Sequence, residues 1–209
     1  MTDKFQEKLN KDMIPILEEF YSIQGEGFNT GKAAYFVRTG GCDLACRWCD
    51  SKETWKPETH HFIPISDIID RVNKTNADTI VVTGGEPLIY NFDHFCKIAK
   101  QRGLTLMLET CGAHDFSGDW DWICLSPKKQ KPPQNIYFSK LNELKVIIYE
   151  QTDFEWAEEC AKNVHDNCVL FLQPEWSRFS DTGKMVVEYA KNNPKWNVSV
   201  QIHKFLKIP

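Results

Sequence analysis

Short runs of aliphatic and β-branched residues alternate along the chain with longer segments in which apolar positions recur every three or four residues. The short runs predict strands over 16–23, 34–38, 79–83, 104–109, 122–125, 144–149, 168–173 and 197–203. The longer segments predict helices over 66–74, 92–101, 153–163 and 183–192. Thr152 followed by Glu155 reads as a capping box at one helix start, and Gly103 as the left-handed residue closing another helix. Strand–helix alternation means βα units and a mainly parallel sheet. A full eightfold barrel takes about 250 residues, so 209 residues hold roughly six units. The expectation is an α/β chain forming one domain, 1–209, as an incomplete barrel or an open sheet. In such folds ligands bind just beyond the carboxyl ends of the strands.

Composition narrows the partners. With 42% hydrophobic residues, including seven Trp and thirteen Phe, the chain has apolar material for a core that needs no disulfide staples. Twenty-five basic against 29 acidic residues give a net charge of -4, which argues against nucleic acid as a partner. The first twenty residues are charged and contain no apolar signal core, and no run approaches the ~18 apolar residues of a membrane span. The expectation is a cytoplasmic protein with no membrane partner. In a reducing compartment its eight cysteines are better used for metal or catalysis than for disulfides.

Three of those cysteines fall together. After the strand at 34–38 comes TGGCDLACRWCDS, with Cys42, Cys46 and Cys49 on one strand-end loop. A structural zinc site wants a fourth ligand, and the nearest plausible ones, His60 and His61, lie well downstream. A four-iron cluster bound through three thiolates keeps one iron open. A second strand end carries Thr83-Gly84-Gly85-Glu86-Pro87, where paired glycines let backbone approach a ligand closely. Ser126-Pro127-Lys128 and Gln173-Pro174 follow two later strands. Each of these is also ordinary turn chemistry.

Upstream of the cysteine loop, the stretch Ile23-Gln24-Gly25-Glu26-Gly27 closes the first strand and Arg38 ends the next. In extended chain Gln24 and Glu26 share a face. They offer an amide and a carboxylate suited to the N–H and C=O edge of a pterin or guanine-like ring. Arg38 suits a substrate carboxylate. A surface turn and a rim salt bridge are the plain alternatives.

The spacing C-x3-C-x2-C, with Trp48 before the last cysteine, resembles the signature of the radical S-adenosylmethionine superfamily. FYSIQGEG, GGCDLACRWCDS and TGGEP in combination, over 21–209, resemble the 7-carboxy-7-deazaguanine synthases. That resemblance implies an incomplete, distorted TIM-like (β/α)6 barrel, a homodimer, one [4Fe–4S] cluster, S-adenosylmethionine as a regenerated cofactor, and Mg²⁺. It implies conversion of 6-carboxytetrahydropterin to 7-carboxy-7-deazaguanine with loss of ammonia, on the route to queuosine and related 7-deazapurines, with electrons from a flavodoxin- or ferredoxin-type donor. In that family the cofactor's adenosyl radical takes the hydrogen at C6 of the tetrahydropterin and later returns it to the rearranged product radical. A glycyl-radical activase shares the cysteine spacing but does not account for QGEG or Arg38. A non-catalytic iron–sulfur or zinc protein is the reading from another class.

Carried over residue by residue, the resemblance makes Cys42, Cys46 and Cys49 the cluster ligands. Trp48, Cys49, Asp50, Gly85, Ser126, Pro127, Lys128, Gln173, Pro174, Glu175 and Trp176 line the cofactor. Ile23, Gln24, Gly25, Glu26, Arg38 and Thr83 hold the substrate, and the carboxylate of Pro209 reaches it. Ser51 stands where the family has a Mg²⁺-ligating hydroxyl. A lone neutral hydroxyl cannot hold Mg²⁺, so substrate oxygens are expected to complete the shell and metal and substrate to bind cooperatively. Where the family usually has ETNGT, the chain reads Glu109-Thr110-Cys111-Gly112-Ala113. Glu109 and Thr110 keep a polar wall, the Asn contacts are not carried over, and Cys111 is expected to be an ordinary thiol. Glu109 and His203 are candidates for handling protons or binding substrate.

Overall fold

The structure, a computed structural model, describes residues 7–9 and 12–209. Residues 1–6, 10 and 11 of the charged N-terminal segment lie outside the described residues. No helix among the described residues is long and apolar enough to cross a membrane. The chain divides into two compact units.

The first unit comprises the described residues up to Ser22, with Ala33–Thr110 and His114–Asp121. Its strands are β1 (Met13–Ile23), β2 (Ala33–Thr39), β3 (His61–Pro64), β4 (Thr79–Gly84) and β5 (Thr105–Thr110), in the order β3-β1-β2-β4-β5. β1 and β3 are antiparallel; β2, β4 and β5 run parallel. Ile80, Val81 and Val82 on β4 are all fully buried. Successive residues point to opposite faces, so both faces of β4 are covered, as a parallel strand requires. α1 (Ile65–Val72) buries Ile65, Ile68, Ile69 and Val72, and α2 (Asp93–Gln101) buries Phe95, Cys96 and Ala99. These are helical-face spacings. α2 ends as its sequence predicts: Gly103 has φ +73°, the left-handed value of a helix C-terminus.

The second unit comprises Ile23–Lys32, Cys111–Ala113 and Trp122–Pro209. β6 (Trp122–Leu125), β7 (Glu143–Ile148), β8 (Val169–Pro174) and β9 (Trp196–Val198) are parallel neighbours in that order. α3 (Asn135–Phe138), α4 (Thr152–Ala161) and α5 (Phe179–Asn192) connect them. Leu125, Leu144, Leu172, Tyr137, Leu141 and Ala157 are fully buried and form this unit's core.

Three expectations are corrected. The strand over 197–203 shrinks to β9, and the chain turns into a short helix, α6 (Ile202–Leu206). Its backbone finds another partner: the Ile202 amide donates to the Gly25 carbonyl at 2.9 Å, and Lys204 N–H to Gln201 O at 3.1 Å. The capping box at α4 does not form. No side chain caps the helix start; Thr152 Oγ1 donates to Glu150, and Asp153 Oδ2 accepts the amides of Tyr149 and Glu150 in the preceding turn at 2.8 and 2.9 Å. The helix expected at 183 begins at Phe179 instead, and β3 and α3 were not anticipated.

Candidate active site

The cysteine loop follows β2 in the first unit. Gly40 N–H bonds Pro15 O at 2.8 Å, and the Tyr90 hydroxyl donates to Gly40 O at 2.7 Å, so the loop leaves the strand on a fixed course. Cys49 N–H reaches back to Cys46 O at 3.1 Å, closing a tight turn, and Ala45 has φ +47°. Ser51 donates its amide to Cys49 Sγ at 3.4 Å, and its carbonyl accepts Thr54 Oγ1 at 2.6 Å. Cys46 is buried, Cys42 and Cys49 half-buried. Burial pushes the Cys42 thiol up to about 11.

The TGGEP element is sewn onto this loop through backbone. Gly85 N–H donates to Thr39 O at 3.1 Å and Glu86 N–H to Gly41 O at 2.9 Å. A Cβ on Gly85 would collide with the Gly41 carbonyl and with Cβ of Cys42. At Gly84, φ is +127° and a Cβ would strike the Thr39 backbone. Both glycines are therefore required by the close approach of these two strand ends. Glu86 is almost fully buried, and its Oε1 accepts Leu88 N–H at 3.1 Å and Thr110 Oγ1 at 2.5 Å, bracing the element from beneath.

Arg38 and Thr83 are register partners on β2 and β4. Arg38 donates through Nε to Glu18 Oε1 at 2.7 Å, which fixes the plane of the guanidinium. Thr83 O accepts the Thr39 hydroxyl at 3.2 Å. Ser51 Oγ lies 3.5 Å from Asp50 Oδ1. Glu109, near the end of β5, and Trp48 are half-buried.

The donor set suits an iron–sulfur cluster. Three soft thiols sit within eight residues, and the nearby harder donors are engaged elsewhere: Asp43 with His114 at 3.0 Å, His60 with Glu53 O at 2.9 Å. Among the described residues, no three His, Cys, Asp or Glu side chains are already gathered as a metal site. The cysteines would converge on the group they bind.

In the second unit the Gln24–Gly27 turn is held by a buried polar network. Glu26 Oε2 accepts Lys145 Nζ at 2.5 Å and Oε1 accepts Gln201 Nε2 at 2.7 Å. Glu26 N–H donates to Gln24 Oε1 at 3.1 Å. Burial opposes the charge on Glu26, but the Lys145 ammonium and hydrogen bonds from Lys145, Gln201 and Gln173 prevail and bring its carboxyl down to about 2. Gly27 N–H donates to Ser199 Oγ at 3.0 Å, and Ser199 in turn donates to Gln173 Oε1 at 2.7 Å. Glu143 Oε2 accepts Phe28 N–H and Trp122 Nε1 at 3.2 and 3.1 Å.

The other second-unit candidates are held more locally. Lys128 Nζ donates to the carbonyl and hydroxyl of Ser126, both at 2.6 Å. Glu175 caps the turn Trp176–Arg178, accepting from Ser177 and Arg178. Trp176 meets the ring of Phe205 edge-on at 5.2 Å. His203 lies on α6, not on a strand, with its ring where a Gly25 Cβ would stand. Pro209 is exposed. Sequence reading missed Lys145, Ser199, Gln201 and Glu18. The available signal for Lys145 was ELKVII: Glu143 and Lys145 on the same side of a strand otherwise fit for complete burial.

Known proteins give the same picture. Residues 23–111 match the family described as a 4Fe-4S single cluster domain. The 7-carboxy-7-deazaguanine synthase of Flavobacterium psychrophilum is 48% identical over 100% of both chains. That of Synechocystis is 42% identical over 93% of each. The crystal structure of QueE from Escherichia coli superposes with a TM-score of 0.81 at 26% identity, covering 93% of this chain and 98% of that one. The fold is accordingly α/β, an incomplete TIM-like barrel, and by these similarities the chain belongs to the 7-carboxy-7-deazaguanine synthase family.

Proposed function

We propose that this chain converts 6-carboxy-5,6,7,8-tetrahydropterin to 7-carboxy-7-deazaguanine and ammonia, as a radical S-adenosylmethionine lyase serving queuosine and related 7-deazapurines. The reading rests chiefly on one observation: the three-cysteine loop and the TGGEP element are joined backbone to backbone, Glu86 N–H to Gly41 O and Gly85 N–H to Thr39 O. A zinc knuckle does not need a neighbouring strand end held against it without side chains. The whole chain, 1–209, is taken as one catalytic domain, supported by a relative that matches it from end to end.

Cys42, Cys46 and Cys49 would hold a [4Fe–4S] cluster. Trp48, Cys49, Asp50, Gly85, Ser126–Lys128 and Gln173–Trp176 would hold S-adenosylmethionine. Together those groups supply reductive cleavage of the cofactor and a hydrogen-abstracting radical. The protein's own part is to bind and orient. Arg38, its plane set by Glu18, takes the substrate carboxylate. Ile23, Gln24, Gly25, Glu26 and Thr83 hold the ring, and the Pro209 carboxylate closes over it. Glu109 and His203 would take up or deliver protons. The overall change expels ammonia and consumes no net electrons, which agrees with a cofactor that is regenerated. Ser51, with substrate oxygens, would bind Mg²⁺ as template and Lewis acid. A homodimer, a flavodoxin- or ferredoxin-type electron donor and a cytoplasmic location complete the proposal.

The test is anaerobic incubation of the reconstituted protein with reductant, S-adenosylmethionine, Mg²⁺ and the pterin. Formation of 7-carboxy-7-deazaguanine is expected. Cofactor cleavage without that product would leave only the superfamily chemistry and overturn the substrate assignment.

A further inference from the structure

The hub of the second-unit network is Glu26, and its principal partner, Lys145, belongs to no role so far described. Lys145 projects from β7 with its side chain 4% exposed, and that of Glu26 is 15% exposed. Burying such a pair costs desolvation that the attraction often only balances, and an apolar pair of similar size commonly stabilises as well or better. Stability alone is thus a weak reason for it; geometry is a stronger one.

The geometry runs to the C-terminus. Gln201 presents its amide nitrogen to Glu26 Oε1 at 2.7 Å while its amide oxygen accepts Lys204 Nζ at 2.9 Å. Charge therefore alternates along one line, Lys204 to Gln201 to Glu26 to Lys145, and this order fixes which way the Gln201 amide faces. Beside it, Ile202 N–H bonds Gly25 O at 2.9 Å, and the His203 ring occupies the space a Gly25 side chain would take. The C-terminal segment is thus bound to both Gly25 and Glu26 of the turn, and β7 supplies the cation that holds Glu26 in place.

We infer that the Lys145–Glu26 pair is a latch that seats the C-terminal segment on the Gln24–Gly27 turn, making Lys145 and Gln201 positioning residues for the substrate. Only the identity of that substrate rests on the function proposed above. Two readouts test it on the full-length protein: hydrogen exchange of the peptide spanning Ile202–Leu206, and KM against kcat for the pterin.

Lys145→Met should speed exchange in that peptide about 10-fold or more, the loss expected when a hydrogen bond to a charged group goes. Exchange in β4 should stay as it was, and KM should rise more than kcat falls. Because Lys145→Met leaves a carboxylate buried without its cation, Gln201→Leu is the second variant; it cuts the tail's link and keeps the ion pair. The same faster exchange and raised KM are expected from it. Unchanged exchange and KM in Gln201→Leu would overturn the latch, whatever becomes of Lys145→Met. If the wild-type protein makes no product from the pterin, the functional reading falls, and exchange alone decides the latch.

Discussion

Glu26 carries two duties at the scale of single residues, since the carboxylate expected to meet substrate also anchors the turn it sits on. Its carboxyl titrates at about 2 in the fold, against an ordinary 4.5. A depressed folded value means the stabilisation is fully present above the ordinary value and is lost as pH falls through the folded one. Equilibrium unfolding by denaturant should therefore weaken from about pH 4.5 to about pH 2, and Glu26→Gln should flatten that part of the profile. An identical slope in the variant would contradict the assignment. At neutral pH, Lys145→Met should cost roughly 3–5 kcal/mol, whereas Glu26→Met with Lys145→Met together should be far milder. This network was half legible in the sequence. QGEG stood out as a polar stretch at a strand end, but its partners lie more than a hundred residues downstream, and nothing local marks Gln201 as one of them.

Strand ends are the working parts at the scale of elements, and glycine placement shows how they are built. A methyl on Gly85 would push the Gly41 carbonyl and Cys42 apart, so Gly85→Ala should lower iron content per chain and visible absorbance after reconstitution. Gly103→Ala is the control: its φ is +73° but nothing stands within 4 Å. It should cost only about 1 kcal/mol of backbone strain and leave iron content as in the wild type. Seven of the eight expected strands and all four expected helices are present, because local periodicity and burial agree there. Disagreement came where the partner is distant. Residues 199–203 have the composition of a strand, yet the Gly25 carbonyl and the Glu26 carboxylate draw them into a turn and the start of a short helix. At α4 the Thr152–Glu155 box gives way because the Thr152 hydroxyl is drawn to Glu150 Oε1 instead, and no side chain caps the first turn.

The eight cysteines fall into two groups when the whole molecule is considered. Cys96, Cys111, Cys124, Cys160 and Cys168 are all buried. Burial raises the thiols of Cys96 and Cys160 to about 12 and that of Cys168 to about 11. Serine substitutions at Cys42, Cys46 or Cys49 should each abolish the visible iron–sulfur absorbance, while Cys111→Ser should retain it. Alkylation of the native, metal-free chain at neutral pH should label half-buried Cys49 well ahead of the five buried, scattered cysteines, read by peptide mass spectrometry; labelling of Cys49 at their rate would contradict the division. The sequence showed this division through spacing alone. Thiol burial and the backbone seam between two strand ends emerged only from the fold.

The central claim is that the three-cysteine loop serves hydrogen abstraction from a pterin. Its most direct test is anaerobic turnover with substrate deuterated at C6 and unlabelled S-adenosylmethionine, followed by mass spectrometry of the recovered cofactor. The turnover should yield 7-carboxy-7-deazaguanine together with deuterium in the recovered cofactor, and neither from Cys46→Ser. Product formed while the cofactor stays free of deuterium would contradict it.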